Sequence, residues 1–442
     1  MLRLAKHRVV GALKQLRGFS SQPASTAAAS QTGDPLPDRC DVLIVGGGGM
    51  GASAAYWLKS KARERLNVVV VERDACYTRA STVLSVGGLR QQFSLAENIQ
   101  MSLFGAEFIA NSKRYLGDVE LNFMPHGYLF LASVKGAEIL TNNSRLQNEL
   151  GAHNELLGPE ALRKRFPWID TDGVELGCCG LAKEGWFDPW ALLMGFKKQA
   201  RSFGAQFTNG EVVGFTFNGT GKLNGAIVDC GDGSQRTVHF DNCVLAAGAH
   251  SGKVASLAGI GTGKDIMSVP VPVEPRKRYV YVFNTQGGNA PGLATPLTVD
   301  PNGTYFRRDG LGGNFLCGRS PSDEEEPKCD TLDVDHEFFE TVIWPTLAKR
   351  VPAFESAKVQ SSWAGYYDFN KFDENGIIGQ HPYHTNLYIA TGFSGHGIQQ
   401  TPAVGRAISE LILEGKFSTI DLTQLGFERL VAQRPVFEVN IV

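Results

Sequence analysis

The chain has 442 residues, 43% of them hydrophobic and 20% charged, with a formal net charge of −2. This excludes an intrinsically disordered chain, allows two domains or one large α/β domain with a second lobe, and argues against nucleic acid as a partner. The eight scattered cysteines form no C-x-x-C pair, which indicates neither a disulfide framework nor a zinc site, and the 51 glycines follow no collagen-like period.

Residues 1–33 hold Arg3, Lys6, Arg8, Lys14 and Arg17, and the first acid is Asp34. A basic, acid-free segment that is amphipathic if helical and runs into Ser and Ala has the composition of a mitochondrial transit peptide, not of a secretory signal. Arg17-Gly-Phe-Ser is the expected processing point, with a mature start near Ser20. The expected location is the mitochondrion, in the matrix or on the matrix face of the inner membrane. The longest apolar stretch, Val42–Trp57, is shorter than the ~20 residues of a spanning helix and is broken by four consecutive glycines. No transmembrane helix is expected; peripheral attachment to the inner membrane stays open.

Asp41–Val45 reads as a strand buried on both faces, Ala52–Ser60 as a helix of small residues, and Asn67–Val71 as a second strand closed by Glu72. Between the first strand and the helix lies Gly46-x-Gly48-x-x-Gly51. Gly46 allows the tight turn, Gly48 lets the backbone approach a pyrophosphate, Gly51 permits close helix–sheet packing, and the helix N-terminus faces the anion. A shifted register at Gly47, Gly49 and Ala52 has the same spacing; the first is favoured because Gly46 directly follows the strand. Glu72, about 20 residues on, is placed to accept from a ribose 2′-OH and to repel a 2′-phosphate.

Helices are expected at Ala96–Tyr115 and Lys135–Leu150, with a strand at Tyr128–Ala132. Asp188-Pro189 reads as an N-cap and first-turn proline for a helix over Trp190–Ser202. Short strands follow around Ala205–Phe217, Leu223–Asp229 and Arg236–Phe240, and a buried strand, Cys243–Ala247, enters Gly248. Tyr279–Phe283, Gly303–Arg307 and Asn314–Cys317 read as strands, Asp323–Glu326 as a solvated acidic loop, and Val334–Ala348 as a helix. The strand Leu387–Thr391 leads into Gly392-Phe-Ser-Gly395-His396-Gly397 and a helix from about Thr401 to Leu413, closed by Gly415. His381 and His384 are three apart, but Pro382 blocks a metal-binding helix, so no metal is assigned.

The β-α-β unit does not choose between NAD and FAD, but two later segments favour a flavin. Val244–Ser251 is a buried strand whose small-residue turn, with Ala247 and Gly248, would pass near the dinucleotide. The C-terminal glycine loop and its helix present a positive dipole end suited to the negative charge of a reduced flavin. Together with Val45–Gly51, Val71-Glu-Arg73, Ala80-Ser81-Thr82, Gly87-Gly88-Leu89-Arg90, Gly185-x-x-Asp188-Pro189 and Ala246-Ala-Gly-Ala, these segments resemble the D-amino-acid oxidase/sarcosine oxidase superfamily of FAD amine oxidoreductases over about Asp41–Leu413. A narrower resemblance runs through Leu84–Ser94, Glu184–Trp190, Val273–Tyr281, Arg319-Ser-Pro, Trp363–Asp368 and Gly392–Gln400, to a mitochondrial branch of FAD-dependent oxidoreductases.

The resemblance implies an α/β fold: a Rossmann-like FAD-binding domain built from discontinuous segments (38–100, 186–268 and 356–425) and an antiparallel β-sheet substrate domain (101–185 and 269–355), with a C-terminal tail at 426–442. It implies FAD, with Ser81 and Thr82 near the phosphates. Gly46, Gly48, Gly51, Glu72, Arg73, Gly87, Ala247, Gly248, Gly392, Gly395, His396, Gly397, Ile398 and Gln399 would surround the cofactor. Arg90 falls where the amine oxidases hold a substrate carboxylate, Tyr305 matches a pocket-lining tyrosine, and His396 belongs to the flavin loop; these three are the catalytic candidates for hydride transfer from a small amine or amino acid. No lysine occurs around Asn314–Cys317, and Gln399 stands where the family has a second lysine, which points to a dehydrogenase rather than an oxidase. The anchoring cysteine and histidine of covalent relatives correspond to about Gly365 and Ser85, so the FAD should be non-covalent. The mitochondrial branch implies a role in assembling respiratory complex I, with its subunits or assembly intermediates as partners and a structural use of FAD as the alternative to catalysis.

Overall fold

The computed structural model describes residues 33–285 and 288–439. The transit-peptide reading of residues 1–33 falls, apart from Gly33, outside the described residues. No helix among the described residues is long and apolar enough to cross a membrane.

The first sheet is nucleated by β1 (Arg39–Val45), whose Val42, Leu43 and Ile44 are fully buried, as a strand covered on both faces must be. It pairs in parallel with β2 (Val68–Glu72) and with β11 (Gln235–Leu245). The sheet continues through β8 (Gln206–Asn209) beyond β2, and through β18 (Leu387–Thr391) and the antiparallel edge strand β17 (Ile377–Gln380) beyond β11. The order is therefore β17-β18-β11-β1-β2-β8, from three separated stretches of chain. The two strands expected at Arg236–Phe240 and Cys243–Ala247 are one. The first half of β11 pairs with β10 (Leu223–Asp229) in an antiparallel ribbon with β9 (Glu211–Phe217), and its second half pairs with β18. Asp241-Asn242 interrupts the apolar pattern without ending the strand, because β1 continues beside it.

Among the described residues five helices have ten residues or more: α1 (Gly49–Ala62), α2 (Ala96–Ala110), α3 (Ala137–Glu149), α4 (Pro189–Ser202) and α5 (Gly397–Glu414). Helix α1 packs against α4 and α5, and α5 against α2. Asp188 caps α4 as its sequence predicts, Oδ1 accepting from the Ala191 amide at 3.0 Å. The expected helix Ala96–Tyr115 breaks at Asn111, and that at Val334–Ala348 is broken by a widened turn at Phe339–Ile343 ahead of Pro345, which brings no backbone donor. Helix α5 starts four residues earlier than its sequence suggests, because Gly397 reads as loop and yet opens the helix.

The second sheet has the order β16 (Lys358–Asn370), β12 (Val273–Asn284), β15 (Asn314–Gly318), β14 (Tyr305–Asp309), β13 (Leu297–Val299), β4 (Tyr128–Ala132), β6 (Leu176–Gly180), β5 (Asn154–Leu157). It is antiparallel except where β13 meets β4. A short pair, β3 (Gly88–Leu89) with β7 (Gly185–Trp186), completes the strands. The 13-residue strand β16, absent from the sequence reading, makes the longest pairing, with β12.

Candidate functional site

A crevice opens where the carboxyl ends of β1, β2 and β11 meet the second sheet. It encloses about 1760 Å³ of space between atoms, its open mouth included.

The glycine turn forms one wall. Gly46 has φ +101°, and a Cβ there would collide with the Ala246 carbonyl just past the end of β11. Gly51 lies inside α1 with its missing Cβ against the Gly46 carbonyl oxygen, so the helix can lie on the turn. Gly48 precedes α1, and a Cβ there would have no heavy atom of the surroundings nearer than Thr82 Oγ1 at 3.5 Å, leaving its backbone open to the crevice. The geometry thus gives the three roles to Gly46, Gly48 and Gly51. Thr82 seals the start of α1, its Oγ1 accepting from the Gly49 amide at 2.9 Å. Ser81, Thr82 and Arg79 line the space in front of that helix end.

Glu72 ends β2 on the crevice wall. Its Oε2 accepts from the Gly47 amide (2.7 Å) and its Oε1 from the Asp74 amide (2.9 Å), so the acid is oriented by the turn it serves. Burial raises its pKa above the usual carboxylate value, and the two amides work against that rise. Arg73, Ala247, Gly248, Val212 and His250 line the same region. Burial foremost, and then Arg73, Lys253 and Arg79, lower the His250 pKa to about 4, which makes the imidazole neutral near pH 7.

On the opposite side Gly395, Gly397 and Ile398 line the crevice at the N-terminus of α5. The glycine loop is held by Asp368 of β16, whose Oδ2 accepts from the Gly392 amide (2.8 Å) and the Phe393 amide (3.1 Å). Burial pushes this carboxyl up to about 6 against those two hydrogen bonds. Gly395 has φ +102° and a Cβ on it would collide with the Tyr367 ring. Two helix N-termini, each carrying roughly half a positive charge, therefore open on one crevice.

The remaining part is lined by Leu84, Ser85, Val86, Arg278, Tyr305, Gly365 and Tyr367. Arg307 of β14 holds the Val86 carbonyl from Nε (3.2 Å) and Nη2 (3.0 Å), and Trp363 Nε1 holds the Leu84 carbonyl (2.9 Å). Desolvation raises the Tyr305 and Tyr367 phenols above their ordinary pKa, so both stay protonated.

Gly46, Gly48, Glu72, Arg73, Ser81, Thr82, Ala247, Gly248, Tyr305, Gly395, Gly397 and Ile398 all line the crevice; Gly51, Gly87, Arg90, Gly392, His396 and Gln399 stand behind it. Gly87 has φ +72° and packs on the Phe187 carbonyl. Gln399 Oε1 accepts from the Arg90 amide at 2.6 Å. The Arg90 guanidinium donates to the Gln92 carbonyl and lies 4.0 Å over the Phe93 ring. His396 packs edge-on against Phe93, and burial followed by Arg90 lowers its pKa to about 3. Asp368, Tyr367, His250 and Arg278 were not singled out in the sequence; three of them sit on β12 and β16, whose pairing has no local signal. The acidic loop is corrected in part: Glu326 is not solvated but paired with Arg278 at 2.8 Å and Arg276 at 3.5 Å.

A doubly covered sheet with a glycine turn at its carboxyl edge, an acid ending the next strand and a second sheet closing the crevice define a dinucleotide-dependent oxidoreductase. The FAD dependent oxidoreductase (DAO) family profile matches residues 41–411, and the chain belongs to that family. It is 51% identical to the Drosophila melanogaster FAD-dependent oxidoreductase domain-containing protein 1 homolog, over 92% of this chain and 82% of that protein. It is 52% identical to the Xenopus laevis FAD-dependent oxidoreductase domain-containing protein 1, over 97% and 90%. In fold it is similar to L-proline dehydrogenase from P. horikoshii, with a TM-score of 0.78 and 24% identity over 91% of this chain and all of that one. The cofactor is FAD, and the residues fit it: the turn without side chains, the two helix N-termini and the oriented Glu72 provide a pyrophosphate seat and a ribose acceptor.

Proposed function

We propose that this chain is a mitochondrial FAD-dependent dehydrogenase that oxidises the C–N bond of a small amine or amino acid, and that it serves the assembly of respiratory complex I. The observation that supports the catalytic reading is the continuity of one crevice from the glycine turn to a buried polar end built from Tyr305, Tyr367 and Arg278. FAD, when bound, supplies the two-electron acceptor. Gly46, Gly48, Thr82, Glu72, Gly395 and Gly397 would hold it.

The chain's own work is orientation and exclusion of water. Neither the Tyr305 nor the Tyr367 hydroxyl has a hydrogen-bond partner among the described residues, so both are free to bind a substrate amine. Among the described residues Lys253 is the one lysine that lines the crevice, and it acts with Arg73 and Arg79 on His250. Gln399 is spent on the Arg90 backbone. At the tyrosine end the lining cation, Arg278, is paired with Glu326, which favours an acceptor other than oxygen. Arg90 positions the segment Arg90–Phe93 from behind the wall and leaves substrate contact to Tyr305, Tyr367 and Arg278.

The assembly reading is favoured by the six segments that resemble the mitochondrial branch. Both readings are tested with one protein. Purified holoprotein is mixed anaerobically with a panel of amino acids and N-methylated amines, and the flavin's visible absorption is followed. Bleaching within seconds, lost in Tyr305→Phe/Tyr367→Phe, supports the dehydrogenase. Absence of bleaching, together with a complex I deficiency in deleted cells that the double variant restores, leaves the assembly role alone.

A further inference from the structure

Among the described residues Arg278 is the one guanidinium that lines the tyrosine end of the crevice. It projects from β12, its Cζ 5.4 Å from the centre of the Tyr367 ring. Its side chain is only 11% exposed, and its Nε is buried without a hydrogen-bond partner. Its Nη1 donates to the Lys277 carbonyl and to Glu326 Oε1, both at 2.8 Å.

Glu326 does not come from the sheet. It closes the acidic run Asp323–Glu326, in the stretch between β15 and the Val334–Ala348 region. The other oxygen of Glu326 reaches Arg276 at 3.5 Å, while Arg276 is also taken by Glu274 at 3.0 Å. Glu326 is 15% exposed, so a loop carboxylate is held indoors against Arg278. On its far side the loop is tied to the sheet: Cys329 Sγ lies 3.3 Å from the Pro275 carbonyl, and the Tyr366 hydroxyl donates to the Cys329 carbonyl at 2.8 Å. On its near side, hydrogen bonds of Ser322 are made within the loop, to Glu325. Between these two ends the Glu326 carboxylate is held by its two arginines.

We propose that Glu326 is an internal latch that occupies, on Arg278, the seat of an external carboxylate, so that a ligand enters the tyrosine end by displacing it. The proposal rests on the reading of this crevice as a substrate site and adds what the ligand must carry: an anionic group of carboxylate size and geometry, which a guanidinium binds in two-point fashion. A neutral amine lacks the means to open the latch. The exchange is one ion pair for another in the same partly buried place, so the latch selects without holding the site permanently shut. If the seat is filled by Glu326 nine-tenths of the time, a competing carboxylate binds about tenfold more weakly than to the open site.

The test uses holoprotein with acetate and acetamide as probes, binding being read from perturbation of the flavin absorption band. Glu326→Gln is expected to bind acetate about tenfold more tightly than the parent, with acetamide unchanged. Arg278→Gln is expected to lose acetate binding, and Arg278→Gln/Glu326→Gln to behave like Arg278→Gln alone. Retention of the flavin by each variant establishes that it is folded, and Glu326→Ala serves as a second latch-free variant. Equal acetate affinity in the parent and both Glu326 variants overturns the latch, as does acetate binding that survives Arg278→Gln. Should no amine reduce the flavin while acetate still responds to Glu326→Gln, the dehydrogenase reading fails and the latch stands. Should amines reduce the flavin while Glu326→Gln changes nothing, the latch alone fails.

Discussion

At the glycine turn, two residues of one motif are under different physical constraints, and substitution separates them. In Gly51→Ala the new methyl would collide with the Gly46 carbonyl, so α1 must move off the turn. An overpacking cost of about 1–3 kcal/mol is expected in the cofactor-free protein, seen as a fall in Tm. In Gly48→Ala the methyl meets no protein atom closer than 3.5 Å, so the cofactor-free Tm should barely change while FAD affinity falls, because the methyl occupies the approach to the pyrophosphate. Titration of the apoprotein with FAD measures the second effect. Asp368 yields a pH signature. Its pKa is raised from 3.8 to about 6 in the folded cofactor-free protein, so the fold binds this proton more tightly than the unfolded chain does. Its contribution is therefore fully present below about pH 4 and is lost as pH rises through about 6. Tm against pH should be flatter across that window in Asp368→Asn than in the parent; parallel curves would refute the assignment. Gly46, Gly48, Gly51 and Glu72 were legible because their spacing lies within one β-α-β unit. Arg278, Tyr367 and Asp368 were not, because they meet only after β12 pairs with β16.

Elements show the same division between local and distant causes. Asp188 caps α4 from the adjacent position, and the sequence alone reveals it. Helix α2 has no side-chain cap of its own at Leu95. The residues that lead into it are held by Glu438 of the C-terminal tail, whose carboxylate accepts from the Ser94 amide (2.6 Å), the Ser94 hydroxyl (2.7 Å), the Leu95 amide (3.3 Å) and, inside the first turn, Asn98 Nδ2 (2.5 Å). A carboxylate at a helix N-terminus is worth about 1 kcal/mol. Glu438→Ala should therefore lower the unfolding free energy in a denaturant titration by about that amount, with the m-value unchanged. The tail at 426–442 reads as a tail in sequence, yet its described part straps back across the molecule. Val436 donates its amide to Asp373 at 3.1 Å, and Asp373 in turn is paired with Arg429 at 2.6 Å.

Over the whole molecule, the crevice takes its walls from both sheets, so FAD should stabilise them together. At a hundredfold excess over Kd the gain is about 2.7 kcal/mol, and NAD should not reproduce it. Among the described residues no cysteine lines the crevice, Gly365 carries no nucleophile, and a Cβ at Gly365 would press on Leu84 at 2.9 Å. Acid precipitation should accordingly leave the yellow colour in the supernatant; colour retained by the polypeptide would show a covalent bond. The sequence by itself determined the β-α-β unit, its dinucleotide turn, the acid that follows and, by resemblance, the FAD family, because each depends on residues close in the chain or on a motif read whole. The tertiary structure alone decided that β11 is one continuous strand, that Arg90 stands behind the wall while Arg278 lines it, and that an acidic loop folds inward. Those outcomes depend on which distant strands pair and in what register, and strand pairing is a contest among long-range contacts that leaves no periodicity in the chain.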